Sequence, residues 1–182
     1  PYKVGRVIAR PFVGKEGAYQ RTANRHDFAL PVPSPNLLEN LLQQKKQVFS
    51  VGKIGDIFSG ISFTQAVHTN DNEDGMEQTR KLYQQLDEGL LFVNLVDFDM
   101  KYGHRRDIWG YGHALASFDE ALGYLLTEID DDTIVIITAD HGCDPVYQGT
   151  DHTREYVPLL IYGKGIRANQ CIAERNSFAD LA

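Results

Sequence analysis

Cysteine, basic charge and long apolar runs are all scarce in this chain of 182 residues. Its two cysteines, Cys143 and Cys171, are too few for a disulfide framework, so the sequence predicts a reducing, cytoplasmic setting. Lys and Arg number 18 against 25 Asp and Glu, for a formal net charge of −7. That balance argues against nucleic acid or an anionic membrane as a partner, since either demands a basic face. The longest apolar stretches, residues 90–93 and 134–137, are strand-sized and fall far short of the ~20 residues of a membrane-spanning helix. No basic-then-apolar leader opens the sequence, so nothing there points to export. Repeats, low-complexity tracts and heptads are missing too. What remains is a 42% hydrophobic chain, long enough for one domain with a small appendage.

Residues 1–10 already read as a strand, with Val and Ile alternating among basic residues. At the other end, residues 178–182 read as a helical segment that Asn176 or Ser177 caps. Both features predict a piece of a longer polypeptide, the alternative being a complete domain. Prolines gather between residues 11 and 35 around a short extended piece at 27–30. Ser34 and Pro35 form a helix start before Leu37, Leu38, Leu41 and Leu42 at helical spacing. Residues 47–51 predict a strand, 52–58 a turn into a short helix and 66–69 a further strand. Asn72 is a candidate cap for a helix over 73–88, with Met76, Leu82, Tyr83 and Leu86 inward and Gly89 ending it. Residues 90–96 are nearly all apolar, as in a strand covered on both faces. A helix over 108–129 carries Trp109, Leu115, Phe118, Leu122, Leu125 and Ile129 on one stripe, and strands follow at 133–138 and 157–162. Strand, helix, strand with short connections predicts an α/β fold, a mostly parallel sheet layered by helices. Residues 1–33 fit that pattern poorly, so the core is assigned to 34–182.

Sites in open α/β sheets form beyond the carboxyl ends of the strands. Three loops there bring carboxylates and histidines: Asp97, Asp99 and His104 after the strand at 90–96, Asp140 and His141 after 133–138, and Asp151 and His152 before 157–162. Oxygen and nitrogen donors converging from separate loops are what a divalent metal requires. Asp97 rivals Asp99, because both follow the strand. Asp107, Asp144 and Asp151 read as caps or turn residues, and His26, His68 and His113 as surface or structural histidines. Cys143 is either a soft ligand or a packed thiol, and a hard-oxygen site favours the packed thiol.

The motifs Asp97-Phe98-Asp99, Gly103-His104-Arg105-Arg106-Asp107, Thr138-Ala139-Asp140-His141-Gly142 and Thr150-Asp151-His152-Thr153-Arg154 resemble those of the pentomutase family, within the alkaline phosphatase superfamily. Asn24-Arg25-His26-Asp27-Phe28-Ala29-Leu30 and Val51-Gly52-Lys53-Ile54 resemble it as well, so the likeness runs nearly the whole length. It implies an alkaline phosphatase-like core with an inserted cap domain, residues 1–33 being a remnant of the cap and its connection. It implies interconversion of ribose 1-phosphate and ribose 5-phosphate, and of the 2-deoxy forms, through a phosphothreonine enzyme and two Mn²⁺ ions, with a sugar bisphosphate as a possible activator. Residue by residue, Asp99, His104 and His152 match the ligands of one ion, and Asp140 and His141 match ligands of the other. Arg6, Ile8 and Lys53 match positions that hold the substrate phosphate, the alternative for Arg6 and Lys53 being solvated surface charge. Arg105, Arg106 and Arg154 are expected in structural ion pairs. The family's further aspartate ligand and its threonine nucleophile lie in motifs this sequence does not contain. Thr138, Thr150 and Thr153 do not match that nucleophile, so these residues by themselves are expected to be inactive and to need the remainder of the same polypeptide. Phosphoglycerate mutases and phosphatases of the same superfamily are the rival enzymes, and a non-catalytic metal-binding module is the rival outside catalysis.

Overall fold

A computed structural model describes residues 4–22 and 26–181 of the chain. It opens with four short strands, β1 (Arg6–Ala9), β2 (Phe12–Val13), β3 (Gln20–Arg21) and β4 (His26–Ala29). β1 pairs antiparallel with β4, Arg6 opposite Ala29, and β2 pairs antiparallel with β3. The Phe12 and Tyr19 rings meet edge to face across the second ribbon, centroids 5.0 Å apart. The strand expected over 1–10 is therefore β1, while residues 1–3 and the Asn24-Arg25 part of the family-like motif lie outside the described residues.

The first helix, α1 (Leu37–Gln43), is capped by Asn36, whose Oδ1 accepts the Glu39 N–H at 3.0 Å. The helix thus begins beyond the expected Ser34-Pro35 start, because Asn36 is the residue whose side chain reaches the third helical amide. Next come β5 (Gln47–Val51), α2 (Ile54–Ile57), β6 (Gln65–Val67), α3 (Asn72–Tyr83) and β7 (Gly89–Val93). The three strands form a parallel sheet in the order β6-β5-β7, with Val51 opposite both Val67 and Val93. β5 is covered on both faces. Phe49 and Val51 pack with Leu82 of α3 and with Val67, Leu86, Leu91 and Val93, while Val48 and Ser50 alternate to the opposite face, also buried. Burying side chains such as Val48, Val51 and Leu82 stabilises the fold by about 1.5–3 kcal/mol each.

A helix, α4 (Ile108–Glu128), follows β7. Asp107 caps it, accepting the Gly110 N–H at 2.9 Å, in keeping with its reading as a cap residue. α4 packs beside α3, and an ion pair between Arg80 and Glu128 ties the two together. The expected apolar stripe is only partly inward: Leu125 is buried, but Trp109 is 82% exposed and Leu115 49%. The last strands, β8 (Val135–Thr138) and β9 (Leu159–Tyr162), pair with each other antiparallel, Thr138 opposite Leu159. They form a sheet separate from β6-β5-β7, so the mostly parallel α/β layering expected holds for β5, β6 and β7 while these two strands pair apart from it. Composition identifies a strand, but pairing partner and direction depend on distant contacts. A 3₁₀ turn at Phe178–Leu181 ends the described residues, with Ser177 Oγ accepting the Ala179 N–H at 3.1 Å. No helix among the described residues is long and apolar enough to cross a membrane.

Candidate metal centre

After β7 the chain enters a π-helical turn, Phe98–Gly103, a wide local geometry often found at functional sites. Asp97, at its entrance, is 9% exposed and already committed. Its Oδ2 accepts the Asn72 N–H and the Lys101 ammonium, both at 3.0 Å, while its own N–H donates to Asn72 Oδ1 at 3.0 Å. The buried carboxylate holds the Lys101 ammonium above its usual pKa. Asp97 thus fastens the turn to the start of α3. Asp99, two residues on, faces the histidines instead.

His104 closes the turn, its Nδ1 lying 2.6 Å from the Thr150 carbonyl. A carbonyl only accepts, so Nδ1 carries the proton and Nε2 offers a lone pair. That Nε2 lies 3.2 Å from Asp99 Oδ1, and His152 Nε2 lies 3.3 Å from the same oxygen. One ligand atom from each of Asp99, His104 and His152 falls within 4.8 Å of the others. Asp99 Oδ1 is buried and makes no hydrogen bond, the nearby nitrogens being close without donating to it. An orphaned buried carboxylate oxygen facing two imidazole nitrogens is costly unless a cation lies among them. One carboxylate and two histidines also match the donor chemistry of a first-row divalent ion, so these residues fit such a metal.

His141 extends the cluster. Its ring stacks on His152 with centroids 3.6 Å apart, and His152 in turn stacks on His104 at 5.0 Å. His141 Nδ1 meets the Gly142 carbonyl at 3.0 Å, again leaving Nε2 as the lone-pair nitrogen, 3.6 Å from Asp140 Oδ2. The Asp140 side chain is 66% exposed. All five metal-ligand candidates are thus linked along one cluster, with Asp99, His104 and His152 the tight part of it.

Cys143 lies against the same carboxylate. Burial, followed by the hydrogen bond to Asp99 and the charges of Asp99 and Glu155, pushes its thiol up to about 11. A thiol held protonated behaves as packing rather than as a soft ligand. Gly103 makes room for it, because a Cβ there would overlap Cys143 Sγ.

The expected phosphate-holding residues lie on different sheets. Arg6 and Ile8 belong to β1, whereas Lys53 precedes α2 at the carboxyl edge of the parallel sheet, its Nζ 2.7 Å from Met100 Sδ. Lys53 lines a cavity of about 240 Å³ with Asp56, His68, Asp97 and Lys101. His68 Nδ1 lies 3.8 Å from Asp56 on the surface, His113 is exposed, and the side chain of His26 lies outside the described residues. Arg105, Arg106 and Arg154 are exposed, and none forms an ion pair among the described residues. The structural pairs expected of them do not form among the described residues. Thr153, set aside as a nucleophile in the sequence, has a structural contact that the sequence does not show: its hydroxyl, in a residue 9% exposed, accepts the Asp144 N–H at 2.8 Å.

Histidines and carboxylates gathered from the turn after the parallel sheet's β7 and from the loops between β8 and β9 define a metal-binding α/β core, and the chain belongs to the metalloenzyme superfamily, whose family model matches residues 39–182. It is 51% identical over 180 residues to the phosphopentomutase of Clostridium novyi (strain NT), covering 99% of this chain and 46% of that protein. It is 50% identical to the phosphopentomutase of Acetivibrio thermocellus, covering 100% of this chain and 47% of that protein. The chain therefore spans about half the length of the curated relatives it matches. Among solved structures, the PH0037 protein from Pyrococcus horikoshii superposes with a TM-score of 0.60 at 19% identity, over 83% of this chain and 47% of that one. That likeness concerns the α/β fold alone.

Proposed function

We propose that the chain is the metal-bearing part of a phosphopentomutase, which interconverts ribose 1-phosphate and ribose 5-phosphate and the 2-deoxy forms. The observation that carries the reading is the Asp99–His104–His152 triad, set in a chain 51% identical to a protein named phosphopentomutase. On this reading Asp99, His104 and His152 hold one Mn²⁺, while Asp140 and His141 contribute to a second. Bound metal supplies charge neutralisation on phosphate oxygens and a clamp for in-line transfer. The chain's own residues prepare for it: the Thr150 and Gly142 carbonyls hold the Nδ1 protons of His104 and His141 and keep each Nε2 free. Lys53 supplies a point charge for the substrate phosphate, Arg6 a forked donor and Ile8 its backbone. The threonine nucleophile is assigned to sequence outside these residues, so turnover requires that sequence as well. A sugar bisphosphate activator and a cytoplasmic location belong to the same proposal.

The test is ligand choice. Mn²⁺-loaded protein is titrated calorimetrically with ribose 1-phosphate, ribose 5-phosphate and 3-phosphoglycerate, with binding expected for the pentose phosphates in preference. Preference for 3-phosphoglycerate would move the reading to the phosphoglycerate mutases of the superfamily. Binding of none of the three by metal-loaded protein would leave a metal-binding module and overturn the enzyme reading.

A further inference from the structure

Two loops carry the stacked histidines, residues 139–145 with His141 and residues 149–155 with His152. They meet at an isolated antiparallel bridge between Gly142 and Thr153, where the Thr153 N–H donates to the Gly142 carbonyl at 3.0 Å. The approach is close enough to exclude a side chain at residue 142: a Cβ there would overlap the Glu155 carboxylate and stand 2.9 Å from the Thr153 carbonyl oxygen. A single backbone hydrogen bond still leaves the loops free to twist about it. The Thr153 hydroxyl supplies a second tie by accepting the Asp144 N–H at 2.8 Å, on the far side of the bridge from His141. Thr153 is 9% exposed, so water does not readily replace that tie. The same loop also presents the Thr150 carbonyl that receives the His104 Nδ1 proton.

We propose that Thr153 is a positioning residue of the metal centre, its buried hydroxyl fixing the angle between the two loops and thereby holding His152 against His141 and within reach of Asp99. The inference rests on reading the triad as a cation site. Thr153 itself is outside the ligand group. Its leverage comes from adjacency: a rotation of the loop about the bridge displaces the neighbouring His152 ring, whereas ligand atoms must stay within a few tenths of an ångström of their places.

Two substitutions separate the hydroxyl from the bulk. Thr153→Val keeps the shape and leaves the Asp144 N–H unpaired, and Thr153→Ser keeps the hydroxyl. Mn²⁺ binding is read from loss of the free-ion electron paramagnetic resonance signal, and the imidazole resonances of metal-free protein are read by NMR. Thr153→Val is expected to bind Mn²⁺ about 10-fold more weakly, as outer-shell substitutions do, and to shift the His141 and His152 resonances, with Thr153→Ser restoring both. A merely structural role would lower the melting temperature while leaving the affinity and the ring resonances of the folded protein alone, and that result would overturn the proposal. If the parent protein binds no Mn²⁺, the cation reading falls, and unchanged imidazole resonances in metal-free Thr153→Val would separately overturn the positioning role. Should valine prevent folding, Thr153→Ala gives the same comparison.

Discussion

His141 and His152 stack face to face, ring centroids 3.6 Å apart and planes within 15°, although they come from different loops. A protonated imidazole has no lone pair to give a metal. Lowering the pH from 7.5 to 5.5 is expected to weaken Mn²⁺ binding, because the ligating histidines must shed their protons to bind. Titration of metal-free protein at the two pH values checks this; equal affinities would remove the histidines from the ligand set.

Cys143 supplies a chemical probe of the same carboxylate. Its thiol is pushed up to about 11, by burial first and by Asp99 next. A raised pKa means less thiolate at any given pH, and the thiolate is the nucleophile. At pH 8 Cys143 is expected to alkylate far more slowly than the exposed Cys171. Asp99→Asn, which removes the adjacent charge and keeps the shape, is expected to accelerate Cys143 alone. Mass spectrometry of iodoacetamide-treated protein reads both rates, and an unchanged Cys143 rate in the variant would show that Asp99 does not act on the thiol.

Much of this was legible in the sequence, and the failures have local causes. β5 was readable as residues 47–51 because Val and Phe cluster between polar ends. Asp107 was readable as a cap from its place before an apolar periodic run. At the start of α3 the cap expected at Asn72 is instead Asp71, since the Asn72 side chain is engaged by the Asp97 N–H. The same contact separates Asp97 from Asp99, which sequence alone left open. The inward stripe of α4 failed at Trp109 because periodicity finds a face without saying what covers it. The pairing of β8 with β9 likewise depends on contacts between residues distant in sequence.

The contrast between Leu82 and Trp109 gives a stability test. Leu82 is 2% exposed beneath β5 and Trp109 is 82% exposed. Leu82→Ala removes buried methyl groups from a packed site and is expected to cost about 2–5 kcal/mol. Trp109→Ala is expected to stay within about 0.5 kcal/mol. Urea denaturation of both variants measures the difference as a shift in midpoint at constant slope. Comparable losses would show that the apolar surface near Trp109 is covered in solution.

The two proposed ions should bind unequally. Asp99, His104 and His152 place three donor atoms within 4.8 Å of one another, one of them a buried carboxylate oxygen with no hydrogen bond to lose. Asp140 and His141 offer only two donors, and the Asp140 side chain is 66% exposed. Water competes well for an ion at an exposed carboxylate. A missing anionic ligand also removes charge that would offset the cation. Titration of metal-free protein with Mn²⁺ is therefore expected to show one tight ion and one much weaker, with Asp99→Asn abolishing the tight phase and Asp140→Asn leaving it in place. Two equally tight ions would mean that Asp140 and His141 have a further ligand among these residues. Loss of the tight phase in Asp140→Asn would reverse the assignment of the stronger site.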